Sequence, residues 1–175
     1  MAQLHVCSLS KVSQIVRATG ARSLVTLINA DTHVPRPDDI AQERHLFVGM
    51  SDIVERMEGH VLPESAHIGQ LLRFMRQWDR KDPVVIHCYA GVSRSTAAAY
   101  ISYCALNPSA CEYETAQRLR QLSPTATPNA RLVQLADDYL GRAGRMTAAI
   151  GAIGRGEDCF EGIPFSFDLS GKMQT

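Results

Sequence analysis

The chain has 175 residues, 45% of them hydrophobic, which is enough for one domain with a buried core. Its 18 basic and 18 acidic residues cancel, and this balance excludes the strongly basic field typical of proteins that bind nucleic acid or anionic membranes. The longest mostly apolar stretch, residues 96–106, is too short to span a bilayer. Five cysteines without paired spacing, and a start that lacks the features of a secretory signal, predict a cytoplasmic protein with free thiols.

In the first half of the chain, short apolar runs alternate with stretches of helical periodicity. The predicted elements are strands at 4–7, 23–28, 45–48 and 83–86 and helices at 8–18 and 63–78. Gly20 ends the first helix, and Pro63 occupies a favoured first-turn position in the second.

The second half of the chain is predicted to be helical, with helices at 95–106, 109–122, 129–140 and 145–154. Ser109 and Glu112 have the spacing of a capping box, and the tail after Arg155 has no period, so we expect it to drape over the body or to mediate a contact. This order predicts an α/β fold with a mostly parallel central sheet flanked by helices and a helical C-terminal half. We expect a single domain over 1–175, with its core at 4–140 and a final helix and tail at 141–175.

The chain is organised around residues 83–100, PVVIHCYAGVSRSTAAAY. The stretch predicts a buried strand, a tight loop that contains Cys88, and a helix that begins near Ser95. Such a loop gathers backbone N–H groups that have no helical partner, at the positive end of a helix dipole. The amides favour the thiolate form of a cysteine at the start of the loop, and the planar fork of Arg94 suits two oxygens of a phosphate. Together these groups predict a thiolate nucleophile that is positioned to attack a bound phosphoryl group.

The string His87-Cys88-x-x-Gly91-x-x-Arg94-Ser95 resembles the phosphate loop of cysteine-dependent protein tyrosine phosphatases. The fuller string HCYAGVSRSTAAAY is most similar to the dual-specificity branch of that superfamily. None of the other four cysteines has an arginine six residues later. The resemblance implies a phosphatase-like fold; the six histidines have no metal-ligand spacing with the cysteines, so no metal or other cofactor is expected.

The resemblance also implies roles for the residues of the loop. Cys88 would attack phosphorus and form a phosphocysteine intermediate, while Arg94 would bind the phosphate in the ground and transition states. Ser95 would donate a hydrogen bond to the sulfur, a role compatible with a simple helix cap, and His87 would order the loop. The remaining loop positions would supply phosphate-binding backbone amides: Tyr89, Ala90, Gly91, Val92 and Ser93.

A general acid must protonate the leaving oxygen, and in the dual-specificity branch it is a loop aspartate that precedes the cysteine. Asp52 fits best, because it follows the strand at 45–48 and precedes the long helix. The separation between Asp52 and Cys88 slightly exceeds the usual gap, which implies a longer lid through residues 58–60. Asp31, Asp38 and Asp39 on the preceding loop remain alternatives.

Three positions outside the loop have two interpretations each. Asn129 resembles a polar position near the site of dual-specificity enzymes, and it is equally placed to cap a helix. Arg142 and Arg145 flank glycines and could assist an anionic substrate, although a solvated basic corner is the preferred interpretation.

The leading functional hypothesis is a phosphomonoesterase that acts on phosphoproteins, with phosphotyrosine the chemically easiest substrate. The loop lacks the lysines of lipid-directed relatives, which disfavours phosphoinositides. The alternative is a catalytically weak phosphate-binding module, a pseudophosphatase, because the loop and Arg94 bind phosphate with or without an acid. A sulfurtransferase or arsenate reductase is disfavoured, since Cys104 lies a whole helix away from Cys88 in the sequence.

Overall fold

The computed structural model describes residues 3–169. Its strands are β1 (Gln3–Ser8), β2 (Ser23–Ile28), β3 (His45–Gly49), β4 (Val84–Cys88) and β5 (Phe165–Asp168). They form one sheet in the order β3-β2-β4-β1-β5. The first four strands are parallel, and β5 runs antiparallel to β1. The predicted mostly parallel sheet is confirmed.

Parallel pairing brings the carboxyl ends of four strands to one edge of the sheet. The central strand β4 is in register with β1 through the pair Ser8 and Cys88, and with β2 through Thr26 and His87. Residues that directly follow β1, β2, β3 and β4 therefore lie side by side. Ligands of such sheets bind at this edge, so the register alone indicates where a site forms.

Six helices cover the sheet within the described part of the chain: α1 (Val12–Thr19), α2 (Ser65–Gln77), α3 (Arg94–Leu106), α4 (Glu112–Leu122), α5 (Ala130–Leu140) and α6 (Arg145–Ile153). Helix α1 packs on one face, where Val12 and Val16 share a cluster with Leu24 and Val85. A larger core joins the other face to α2, α3, α4, α5 and α6. The helices flank the sheet on both faces, as predicted.

Helix α3 is the most deeply buried helix. Every residue in it except Ala105 is buried. Three successive alanines, residues 97–99, let neighbouring elements approach from several sides, as the sequence predicted for a helix packed all round. The helix that follows the loop is therefore held rigidly beneath it.

The beginnings of three helices differ from the prediction by two residues or more. Helix α1 begins at Val12 and not at residue 8, and residues 9–11 form a short 3-10 helix ahead of it. Helix α4 begins at Glu112 with Cys111 as its N-cap, and Ser109 does not cap it. The carboxylate of Glu112 instead pairs with Arg142 at 2.9 Å and Arg145 at 3.1 Å, contacts that local spacing could not reveal. Helix α2 begins two residues after Pro63, with a capping box between Glu64 and His67.

The tail contributes a strand that the sequence analysis missed. Phe165 and Phe167 alternate with polar residues in β5, and Phe167 is fully buried with its ring 5.3 Å from that of Tyr103. Four residues are too short for an alternating pattern to predict a strand with any force. Between residues 3 and 169, no helix combines the length and apolarity that crossing a membrane would require.

Candidate active site

Cys88 ends β4 at the carboxyl edge of the sheet, and its side chain is buried. Its Sγ atom lies 3.3 Å from the backbone nitrogen of Gly91, which donates to it, and 3.1 Å from the Ser95 hydroxyl oxygen. The Gly91 amide donates to the sulfur, and the Ser95 hydroxyl can donate to it whenever the sulfur is a thiolate, so both groups would stabilise a negative charge on that atom.

The phosphate-type loop, residues 88–94, is tied to the body of the protein through its carbonyl groups. Four of these accept hydrogen bonds from backbone N–H groups elsewhere: Tyr89 from Leu9 (3.0 Å), Ala90 from Gly162 (2.9 Å), Val92 from Thr127 (2.9 Å) and Ser93 from Asn129 (3.4 Å). In a trans peptide the N–H of the next residue points the opposite way from the carbonyl. The outward carbonyls therefore turn the amides of residues 90, 91, 93 and 94 towards the inside of the loop, where an anion would bind.

Gly91 has a φ of +73°, the left-handed backbone that the sequence analysis expected at this glycine. A Cβ atom at this position would also lie 2.8 Å from the carbonyl carbon of Cys7 and 2.8 Å from the nitrogen of Ser8. The loop passes so close to the end of β1 that only glycine fits. The left-handed backbone and the lack of space for a Cβ atom both require glycine at this position of the loop.

Arg94 is the first residue of α3, and it is buried. Its Nη1 atom donates to Asn29 Oδ1 and to the carbonyl oxygen of Met50, both at 2.8 Å. Its Nε atom is buried and has no hydrogen-bond partner among residues 3–169. One side of the guanidinium is thus locked in place, while a donor on the other side is left for an anion.

Asn29 was missed by the sequence analysis. It directly follows β2, and its contact with Arg94 joins residues that are 65 positions apart in the chain. The available signal was its place immediately after the carboxyl end of a parallel strand, the edge at which sites of this architecture form.

Asp52 lies two residues beyond Met50, in the loop after β3, and it reaches the candidate site. Its Oδ1 atom accepts hydrogen bonds from Ser93 Oγ at 2.7 Å and from Asn129 Nδ2 at 2.8 Å. Asn129 also caps α5, because its Oδ1 accepts from the backbone nitrogen of Leu132 at 3.0 Å. Asn129 therefore contacts Asp52 and caps α5 at the same time.

The other carboxylates named in the sequence analysis lie on the loop after β2. Asp39 makes an ion pair of 2.9 Å with Arg22, at the start of that strand. Among residues 3–169, no hydrogen bond or ion pair joins Asp31 or Asp38 to the phosphate-type loop, whereas Asp52 contacts it through Ser93. The geometry favours Asp52 over these alternatives.

His87 is fully buried and belongs to a chain of hydrogen bonds. Its Nδ1 must donate to the carbonyl oxygen of Cys88 at 3.2 Å, because a carbonyl only accepts. Burial lowers the pKa of His87 to about 4, so the ring is neutral at pH 7 and its Nε2 accepts from the Thr26 hydroxyl at 2.7 Å. Thr26 in turn accepts from Nε2 of His45 at 2.8 Å. This tautomer holds the loop and leaves His87 no free proton to transfer.

Two further cysteines, Cys7 and Cys104, are buried. Burial raises the pKa of the Cys7 thiol to about 12, with the nearby Cys88 and Glu161 adding to the effect. Burial likewise raises the pKa of Cys104 to about 12. Both remain protonated at neutral pH, and neither can act as a thiolate nucleophile there.

Arg142 and Arg145 do not join the candidate site. Arg142 is largely buried, and it donates to Glu112 at 2.9 Å and to the carbonyl of Cys104 at 2.9 Å. Arg145 pairs with the same carboxylate. The preferred interpretation of a solvated basic corner is wrong for Arg142, because its charge neutralises a buried glutamate.

The tail forms a strap, residues 154–164, behind the phosphate-type loop. Gly162 donates to the Ala90 carbonyl at 2.9 Å, and Gly156 donates to the Thr127 hydroxyl at 3.0 Å. Glu161 accepts hydrogen bonds from the hydroxyls of Ser8 and Ser10. The expectation of a tail draped over the body holds for the strap, which contacts the loop directly.

We expect Gly162→Ala to weaken oxyanion binding about tenfold, because the new Cβ would lie 2.8 Å from the Gly91 carbonyl oxygen and push the strap off the loop. The measurement is the affinity for inorganic phosphate, alongside the melting temperature to verify folding. Gly151→Ala in α6 is the matched control, since its Cβ meets nothing within 4 Å; it should leave the phosphate affinity unchanged and, because alanine favours a helix, should not lower the melting temperature. Equal phosphate affinity in Gly162→Ala and the wild type would show that the strap does not position the loop.

Comparisons with known proteins agree with the resemblance predicted from the loop. Residues 57–128 match the family model described as protein-tyrosine phosphatase, a span that includes the loop but not Asp52. No curated protein sequence matches the chain significantly.

Several solved structures share the fold at low sequence identity. PTP-2 phosphatase of Cydia pomonella is 21% identical, with a TM-score of 0.61 over 77% of this chain and 84% of that one. Human DUSP28 is 17% identical, with a TM-score of 0.62 over 80% and 92%. Human tyrosine phosphatase-like serine/threonine/tyrosine-interacting protein is 15% identical, with a TM-score of 0.61 over 80% and 92%. At these identities the likeness establishes the fold alone.

Proposed function

Because the chain resembles the cysteine-dependent protein tyrosine phosphatases, on their dual-specificity side, we propose that it hydrolyses phosphomonoesters of phosphoproteins through a phosphocysteine intermediate on Cys88. The observation that carries the proposal is the convergence on one anion site of three features. These are a buried sulfur that contacts the Gly91 amide and the Ser95 hydroxyl, a ring of inward amides, and the Nε of Arg94, which has no partner among residues 3–169.

In the first step, the Cys88 thiolate attacks phosphorus and forms a sulfur–phosphorus bond while the bond to the leaving oxygen breaks. The protonated carboxyl of Asp52 gives its proton to that oxygen, so the product departs as a neutral alcohol or phenol. Both hydrogen bonds to Asp52 end on Oδ1, which leaves Oδ2 for the proton. Arg94 and the loop amides stabilise the charge that develops on the phosphoryl oxygens.

In the second step, water attacks phosphorus and Asp52 takes its proton. The sulfur–phosphorus bond breaks, its electron pair returns to Cys88, and inorganic phosphate is released. Ser95 lies 3.1 Å from the sulfur and would donate a hydrogen bond to the returning thiolate. Phosphotyrosine is the favoured substrate, since a phenolate is a better leaving group than an alkoxide.

The alternative function is a phosphate-binding module without significant turnover. It is favoured by one feature of the geometry, namely that Arg94 is held by Asn29 and the Met50 carbonyl and not by Asp52. The human interacting protein with the same fold is itself described as phosphatase-like.

Steady-state hydrolysis of a small aryl phosphate separates the two functions. We expect the wild-type protein to turn over this substrate, and vanadate to inhibit it by competing for the amide ring. Phosphate binding without turnover would favour the module. Absence of both binding and turnover would exclude both proposals.

A further inference from the structure

A groove of about 600 Å³ opens directly beside Asp52. Its walls are residues 52–57 of the loop after β3, Ser93 of the phosphate-type loop, and residues 127–130, where α5 begins. The volume lies within the range of roughly 300–1,000 Å³ that ligand pockets occupy. Size alone therefore permits a substrate segment to bind there.

The groove is continuous with the candidate active site. Asp52, Ser93 and Asn129, which are joined by the hydrogen bonds to Asp52 Oδ1, line the groove on one side. A general acid contacts the leaving oxygen, so whatever is attached to that oxygen extends from the Asp52 side of the phosphate. The groove lies where the chain that carries the phosphorylated residue must pass.

The loop after β3, whose residues 52–57 line the groove, is closed by hydrogen bonds between its two ends. Ser51 and Val61 face each other there, with the Ser51 nitrogen 2.9 Å from the Val61 carbonyl and the Val61 nitrogen 3.2 Å from the Ser51 hydroxyl. Between them, Val54 and Met57 line the groove with 51% and 52% of their surfaces exposed. Two large apolar side chains are thus about half exposed beside a polar site, where a bound substrate segment would cover them.

The charges around the groove argue against a second phosphate as its occupant. Asp52 and Glu55 are acidic and Arg56 is the only basic residue in the lining, so the lining has no net positive charge that would attract an anion.

We propose that this groove binds apolar side chains next to the phosphorylated residue of a phosphoprotein substrate, with Val54 and Met57 as the residues that determine this specificity. The proposal rests on the proposed function and names the class of substrate: phosphopeptides with aliphatic flanking residues. Burial of one aliphatic side chain supplies about a tenfold preference, which is expressed mainly in KM.

The test uses two phosphotyrosine peptides that differ only in the two flanking residues, leucine in one and serine in the other. The wild-type protein should favour the leucine peptide about tenfold in kcat/KM. In the Val54→Ser, Met57→Ser double variant the ratio should fall to about one, because the apolar wall is lost. Measurable turnover with equal kcat/KM for the two peptides in the wild type would overturn the proposal.

Two control variants locate the effect. Val61→Ser changes an apolar residue of similar exposure, 44%, that does not line the groove. Phe160→Ser removes a fully exposed aromatic ring from the strap. Both variants should keep the tenfold ratio. If Phe160→Ser abolished the preference instead, the peptide would bind along the strap and the groove proposal would be wrong.

Equilibrium binding of the same peptides to the Cys88→Ser protein separates this proposal from the proposed function. A tenfold difference in affinity that depends on Val54 and Met57 would support the groove even if the wild type turned over no substrate. Turnover of both peptides with equal affinities would support the phosphatase and exclude the groove.

Discussion

Replacement of Cys88 by serine is expected to reduce phosphomonoester hydrolysis by roughly four orders of magnitude or more while phosphate binding is retained. A serine hydroxyl is a weak nucleophile unless a base removes its proton. The nearest candidate base, His87, already uses its Nε2 to accept from Thr26 and its Nδ1 to donate to the Cys88 carbonyl. The amides and Arg94 are untouched by the substitution, so the anion site persists.

The measurements for this variant are turnover of an aryl phosphate and calorimetric titration with a phosphotyrosine peptide. Cys111→Ser and Cys159→Ser are suitable controls, because both residues are exposed and neither contributes to the sheet. They should keep wild-type rates. Substantial activity in Cys88→Ser, or loss of activity in either control, would show that the nucleophile lies elsewhere. Cys7 is a poor substitute, since burial raises its pKa to about 12 and keeps it protonated.

The loop and the central strand could be predicted because their signals are local. The run of β-branched residues before Cys88 indicates a buried strand, and the spacing of Cys88, Gly91, Arg94 and Ser95 is readable within eight positions. The sequence analysis also anticipated that the helix after the loop would be buried on all sides. Each of these features follows from neighbours in the chain.

The residues that hold Arg94 in place are brought together by the register of the strands, and no local pattern in the sequence predicts that register. Asn29 and the carbonyl of Met50 hold Arg94 because β2, β3 and β4 end at the same edge. Only the pairing of the strands brings these groups within 2.8 Å of one guanidinium. The contact of the strap with the loop could not be predicted either, because Gly162 and Ala90 are more than seventy positions apart in the sequence.

Long-range charge pairing explains the misplaced beginning of α4. The spacing of Ser109 and Glu112 matched a capping box, but Glu112 is buried against Arg142 and is not available to reach back towards Ser109. A buried carboxylate without a neutralising cation costs more free energy than a helix end without a reciprocal cap. The pairing of the helix with residues 30 positions away therefore overrides the local signal.

Asp52→Asn is expected to slow hydrolysis by roughly 10²- to 10⁴-fold for substrates with poor leaving groups, and far less for an aryl phosphate with a strongly acidic phenol. Asparagine keeps an oxygen that can accept from Ser93 and Asn129, so the loop should hold its position. It has no acidic proton to give to the leaving oxygen. The loss of rate should therefore grow with the basicity of the leaving group.

The measurement is kcat/KM for a series of aryl phosphates that differ only in the acidity of the phenol, in the wild type and the variant. A steeper dependence on leaving-group acidity in Asp52→Asn identifies the lost proton donor, whereas a uniform loss across the series would indicate only disturbed positioning. Asp39→Asn is the matched control, because Asp39 lies on the loop after β2 and pairs with Arg22. It should follow the wild-type dependence. If Asp39→Asn produced the steeper dependence instead, the acid would be on that loop, and the groove beside Asp52 would no longer mark the leaving-group side.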